Sequence, residues 1–297
     1  MIKLVVSWFF KGVVMGAADA VPGVSGGTMA LITGIYERLI NALASFRLGL
    51  LGLLRRGEFI VVWREVDGAF LVSLGAGIIV SLITVLNLVQ WLLSTAPPVL
   101  WAFFCGLIVA SLIMLLKEHR WRKVDIGLFI TGTAIAASIS FLGEMALAVT
   151  PLTLILGGAL AISAMLLPGI SGSFILLLLG LYPAITEAVH ARDLVTIAWV
   201  TLGCLIGLLV FSRFLQWVLA RWHDRVMGFM LGFVLGALLK VWPWQHDQQW
   251  LMPDNYVNLS GQPSWFFTAL LAAIIGAALV TLLSLKSDGS GLVKSET

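Results

Sequence analysis

The chain has 297 residues, 60% apolar and only 11% charged, with a mean hydropathy of +1.04. Soluble domains average roughly 45–50% apolar and about 25% charged, so a water-soluble enzyme and a disordered chain are both excluded. The net charge of +3 fits basic loops on one side of a membrane rather than nucleic-acid binding, and strand-type alternation is missing, which argues against a β-barrel.

In chain order, the first apolar runs are 2–18 and 23–43. Lys3, the first run and Ala18-Asp19-Ala20 resemble a cleavable leader. Lys11 interrupts the run, however, and the segment near residue 20 has an internal copy, so this end is read as retained. The two runs meet at Pro22-Gly23 with almost no polar loop, the pattern of a re-entrant helical hairpin over 2–43. Residues 44–68 interleave Arg47, Arg55, Arg56 and Arg64 with Leu, Phe59 and Trp63, as an amphipathic stretch lying in the interface does. Helices are expected at 69–93, 99–116 and 126–149. A second hairpin, 151–186, breaks at Pro168-Gly169, and helices 194–219, 226–242 and 265–285 follow. Cys105 and Cys204 lie inside apolar runs and call for neither a disulfide nor a metal. No cofactor or metal site is expected.

The chain repeats itself. Pro22-Gly23-Val24-Ser25-Gly26 returns as Pro168-Gly169-Ile170-Ser171-Gly172, and Gly34-Ile35-Tyr36 as Gly180-Leu181-Tyr182, both at an offset of 146. Leu88-Val89-Gln90-Trp91 matches Phe214-Leu215-Gln216-Trp217 at an offset of 126, as do Phe103 and Gly106 with Phe229 and Gly232. The drop in offset is about the length of the interfacial stretch, which reads as an insertion. Two repeats, 1–149 and 150–286, are expected, with a tail at 287–297.

With a cytoplasmic N-terminus and hairpins that return to their starting side, every basic residue of the 18 except Arg192 and Lys240 falls on the cytoplasmic side. Three crossings per half then invert the second repeat. The expected fold is an all-α polytopic membrane protein of two inverted repeats, each a re-entrant hairpin plus three transmembrane helices. Both termini are cytoplasmic, and the hairpin tips can meet near the midplane, as in many secondary transporters.

The tips carry Pro22, Gly23, Ser25, Gly26, Gly27 and Thr28 in one half and Pro168, Gly169, Ser171, Gly172 and Ser173 in the other. Proline suits a helix start, glycine lets backbone approach a ligand, and serine can cap the next helix. Free N–H groups and a positive dipole end suit an anion such as phosphate. A single such segment would be read as small-residue packing; two symmetric copies favour the anion site. Both tips also spell Gly-x-Ser-Gly, as in intramembrane serine hydrolases. A base is wanting, because His119, His190, His223 and His246 lie in or beside loops and lysine is absent from helix centres, so no enzyme is expected. Candidate charge-compensating or coupling residues are Asp19, Glu37, Arg38, Glu144 and Arg213, with H+ or Na+ as coupling ion. Met165 and Pro183 replace Asp19 and Glu37 in the second half, so the acids are one-sided. Most of the 12 tryptophans lie near segment ends, as an aromatic belt does.

The segments ADAVPGVSGGTMALITGIYERLI and SAMLLPGISGSFILLLLGLY resemble the paired signatures of the bacterial and archaeal polyprenyl-phosphate transporter family. The likeness runs over nearly the whole chain. It implies a flippase in the bacterial cytoplasmic membrane that returns undecaprenyl phosphate, the carrier lipid of cell-wall synthesis, from the outer to the inner leaflet. Carried over by position, Tyr36 and Tyr182 join the tip residues as supporting positions. The competing expectation is a channel or exchanger for small inorganic anions with the same architecture.

Overall fold

A computed structural model describes residues 2–20, 25–47, 49–140, 147–246 and 249–291. Two helices, α1 (Ile2–Asp19) and α2 (Gly26–Ile32), flank the first Pro-Gly segment, and α3 (Tyr36–Ala44) follows. The returning run expected over 23–43 is therefore broken. Gly34, at φ +69°, turns the chain between α2 and α3, a backbone state that residues with a Cβ avoid. The interfacial stretch folds as α4 (Gly49–Arg55) and α5 (Phe59–Glu65); Phe59, Ile60 and Trp63 are exposed. Next come α6 (Gly68–Thr95), α7 (Pro97–Glu118) and α8 (Lys123–Ser140). Helix α8 starts three residues before the expected 126 and does not reach the expected end at 149, because residues 147–150 are non-helical and Thr150 instead caps the next helix.

The second half opens with α9 (Pro151–Leu166), whose start is set by a Thr150–Thr153 capping box and Pro151. Two helices follow, α10 (Gly172–Leu178) and α11 (Tyr182–Ala191), bent by 110° at Gly180 (φ +71°), the repeat partner of Gly34. At about 1.5 Å per residue, α10 rises only about 10 Å, a third of a roughly 30 Å hydrocarbon core. The helices expected at 194–219 and 226–242 form one run, α12 (Leu194–Ala237), with no six-residue loop between them. A single non-helical residue, Trp222 (φ −138°, ψ 43°), breaks it among Arg221, His223, Asp224 and Arg225. A 3₁₀ turn, Leu238–Val241, ends this arm. Between the expected helices 226–242 and 265–285 lie β1 (Gln245–His246), β2 (Gln249–Trp250) and α13 (Pro253–Ser260), before α14 (Phe266–Gly291). The Trp242 and Trp244 indoles pin this segment by donating to the carbonyls of Leu251 (2.9 Å) and Ser264 (2.8 Å).

Lipid is as apolar as leucine, so helices in it associate through close backbone packing rather than a hydrophobic drive. Glycine supplies the closeness here. Gly12 and Gly16 lie against the backbone of α6, and Gly77 lies against that of α1, with no room for a Cβ. In the second half, Gly158, Gly203 and Gly207 do the same for α9 and the first part of α12. Gly106 and Gly276 seal α7 to α14; Gly132, Gly232 and Gly236 seal α8 to the second part of α12. In the seams of α1 with α6, α9 with α12 and α8 with α12 the contact positions rise together along both chains, so these partners run parallel.

These seams follow the repeat. Gly12 and Gly158 are 146 apart, and Gly77/Gly203 and Gly106/Gly232 are 126 apart, the offsets of the sequence match. Two seams are within a half and two join the halves, each contact having a counterpart when the halves are exchanged. The outer faces of the long helices carry Ile79, Ile83, Val210, Phe267 and Ile274, an apolar exterior suited to acyl chains. The largest core cluster gathers Met29, Ala30, Ile40, Phe70, Leu107, Met230 and Leu231 around α2.

Gly203→Ala places a methyl against the Ile155 carbonyl, whereas a methyl at Gly75 meets no atom within 4 Å. Gly203→Ala should cost about 1–3 kcal/mol through overpacking and lower the thermal unfolding midpoint in detergent. Gly75→Ala should leave that midpoint unchanged; equal effects would contradict the seam.

Candidate functional site

The hairpins meet. The Gly169 N–H of the second tip donates to Thr28 Oγ1 of the first (2.8 Å), and the Tyr36 hydroxyl donates to the Leu166 carbonyl (2.7 Å). Gly169 adopts φ +94°, which turns its N–H toward α2 and keeps residue 169 free of a side chain against Phe233 and Ala237. Thr28 and Tyr36 are both buried, so these bonds satisfy polar groups that have no access to water.

The two tips are chemically unlike. In the first, Ser25 caps α2 by accepting the Gly27 N–H (3.1 Å), and Asp19 Oδ1 accepts the Gly26 N–H (2.7 Å). The chain's own carboxylate thus occupies the start of α2, and Gly26 through Leu31 are buried. Pro22, Gly23 and Glu144 lie outside the described residues. In the second tip, Ser171 makes no side-chain cap; its Oγ lies 2.7 Å from Ser173 Oγ. No residue of α10 is fully buried.

Two adjoining clefts flank the contact. One, of about 320 Å³, is lined by Ser140, Gly169, Ser171, Phe174, Phe233 and Lys240. The other, of about 220 Å³, is lined by Ser25, Thr28, Ile108, Gly169, Val234 and Ala237. Gly169 and Ala237 form the wall between them. Ser25 and Ser171, expected at matching places, open on either side of that wall.

The remaining charged candidates gather elsewhere. Glu37 is exposed, with Oε1 2.7 Å from His223 Nε2. The Arg38 guanidinium pairs with Asp67 (2.6 Å) and stacks over Trp8 (4.2 Å) and Phe70 (4.8 Å). Arg213 donates to the Phe46 carbonyl, and Gln216 Nε2 donates to Asn41 Oδ1 (2.9 Å). Glu37, Arg38 and Arg213 therefore tie α3 and its flanks to α6 and α12, and of the described candidates only Asp19 reaches the tips. Tyr182 is exposed at the start of α11 and, among the described residues, makes no bond matching that of Tyr36.

Three charged side chains had no place in the sequence reading of the site. Lys11 does stand at a helix centre, midway along α1, where its Nζ donates to the Thr33 carbonyl at the end of α2 (2.6 Å). Asp125 is 1% exposed and accepts the Arg122 N–H (3.0 Å), closing the start of α8. Lys240 faces the larger cleft. Its signal in the sequence was its position as one of two basic residues on the outer side.

Comparison with known proteins gives a consistent answer. Residues 15–259 match the family described as undecaprenyl phosphate translocase-like. A polyprenyl-phosphate transporter of Vibrio cholerae serotype O1 is 40% identical over 290 residues, covering 92% of this chain and 94% of that protein. A polyprenyl-phosphate transporter of Staphylococcus aureus is 33% identical over 287 residues, covering 90% and 91%. No solved structure gives a significant match.

His223 offers a pH test of the link between α3 and α12. Burial alone would lower its pKa, but the Glu37 carboxylate, with Asp224 beside it, outweighs burial and holds the imidazole above its ordinary value. A pKa raised on folding adds stability that is full below the unfolded value, about 6.5, and is lost as pH rises through the folded value. The wild-type midpoint should therefore fall more than that of His223→Gln between pH 6 and pH 8. Parallel curves for the two proteins would contradict this link.

Proposed function

The chain belongs to the undecaprenyl phosphate translocase-like family, and from that premise we propose that it carries a polyprenyl phosphate, undecaprenyl phosphate in bacteria, from the outer to the inner leaflet of the cytoplasmic membrane. It is a multi-pass transporter, not an enzyme. The observation that carries the mechanism is the bond between Thr28 and Gly169, which joins the tips beside both clefts.

The halves enter the membrane from opposite sides in this reading. A straight helix of 44 residues would be about 66 Å long, over twice the bilayer core of roughly 30 Å. The break at Trp222, ringed by charge, returns the chain into the membrane. The second part of α12 then runs opposite to the first. Because α8 runs with the second part and α9 with the first, the seams orient α9 opposite to α1. The termini lie in the cytoplasm and the tips enter as re-entrant hairpins from either face.

The phosphate occupies the tip region while the polyprenyl tail stays among the apolar outer faces. Ser25, Thr28, Ser171 and Ser173 offer hydroxyls, and the glycines allow close backbone approach; Pro168 sets the second break. Moving an anion inward against an inside-negative potential costs about 2.3 kcal/mol per charge per 100 mV. A co-transported H+ or Na+ offsets this cost. Asp19, already bonded to the first tip, is the carboxylate placed to receive it. Glu37, engaged with His223, serves as a cytoplasmic partner.

Transbilayer exchange of undecaprenyl phosphate in proteoliposomes tests this directly. Wild type should accelerate exchange, and Ser25→Ala/Ser171→Ala should lower the rate at least tenfold. No exchange by wild type under pH and sodium gradients, with conductance for inorganic anions instead, would replace the lipid carrier with an anion channel.

A further inference from the structure

Resting on this reading, we infer that the headgroup is held off-centre, by Lys240 on the second hairpin's side, and that Lys240 is the residue that distinguishes a phosphate monoester from an uncharged polyprenol. The observation is a juxtaposition. Lys240 lines the 320 Å³ cleft with Ser140 and Ser171, and Ser171 is bonded to Ser173. Its Nζ lies 4.4 Å from the centre of the Phe174 ring, and no carboxylate pairs with it among the described residues.

Several facts converge on an anionic occupant. A cation at membrane depth is costly unless compensated, and the ring face compensates only in part. The chain places nearly all its basic residues on the other side, so Lys240 runs against the charge bias that orients the protein. Among the described residues, the other charged groups near the tips are already engaged: Asp19 with the Gly26 N–H and Lys11 with the Thr33 carbonyl. Lysine is a compact charge on a flexible stem with three donors, suited to following a phosphate that moves. The Ser171–Ser173 pair keeps one hydroxyl hydrogen free as a directional donor, while Ser140 donates to the Ala136 carbonyl (3.1 Å) and lines the cleft wall. The stem ends in the 3₁₀ turn that closes the α12 arm, where the chain is already leaving helical geometry.

The site is one-sided by construction. The repeat partner of Lys240, at an offset of 126, is Met114. The first tip carries Asp19, and the cleft beside the second tip carries Lys240 from the end of α12, so an anion approaching from the second side meets a cation first. The carboxylate lines neither cleft and sits instead on the Gly26 N–H at the start of α2. Loading and coupling would thus be divided between the halves: phosphate to the second, cation to the first.

The test is binding of undecaprenyl phosphate, undecaprenol and inorganic phosphate to detergent-purified full-length protein. Wild type, Lys240→Gln and Lys240→Arg are compared, with thermal midpoints recorded to exclude misfolding. Lys240→Gln should weaken undecaprenyl phosphate at least tenfold, Lys240→Arg should restore most of the affinity, and the weaker binding of undecaprenol should not change. Unchanged affinity for undecaprenyl phosphate in a folded Lys240→Gln variant would overturn the inference while leaving the carrier reading intact. Failure of wild type to bind undecaprenyl phosphate at all would overturn the carrier reading, and the inference with it. Lys240-dependent binding of inorganic phosphate without binding of the lipid would assign the cleft to a free anion and overturn both.

Discussion

Broken helices inside a membrane expose backbone and hydroxyl groups where no water satisfies them. In this protein the second break is covered by residues of the first hairpin. Thr28 accepts the Gly169 N–H and Tyr36 donates to the Leu166 carbonyl, so neither tip is polar-satisfied alone. That dependence explains much of the architecture. The halves must be held in fixed register, which the two glycine seams between α7 and α14 and between α8 and the second part of α12 provide. The hairpins must be fixed to their own halves, which the seams of α1 with α6 and of α9 with α12 provide.

The symmetric frame carries an asymmetric site. Glycine contacts recur at the offsets of the sequence repeat, yet α2 is buried while α10 is partly open, and Asp19 and Lys240 lack counterparts. A symmetric frame lets a site at its centre be approached from either leaflet, and unlike charges allow the two approaches to differ in energy.

Much of the frame was legible in the sequence because its causes are local or periodic. Apolar runs gave the long helices, Pro-Gly gave the breaks, and the two offsets gave the repeat. Three things were not. Gly34 and Gly180 looked like helix residues, since a bend at positive φ shows only in the backbone. Trp222 concealed a one-residue break where four charged and polar neighbours suggested a loop. Partnership was also hidden: Glu37, Arg38 and Arg213 look like free charges in a membrane segment, but His223, Asp67 and the Phe46 carbonyl, far away in sequence, engage them. Lys240 was visible as an exception to charge bias, and only the cleft gave that exception a place.

Opposite insertion of the two hairpins is the central claim. Its most direct test is the sidedness of single cysteines at Arg56 and Ala191, both exposed just beyond the hairpins, in a background lacking Cys105 and Cys204. A membrane-impermeant maleimide applied to intact spheroplasts should label the cysteine at 191 and leave that at 56 until the membrane is opened. Labelling of both from the same side would contradict the inverted arrangement and the meeting of the tips that depends on it.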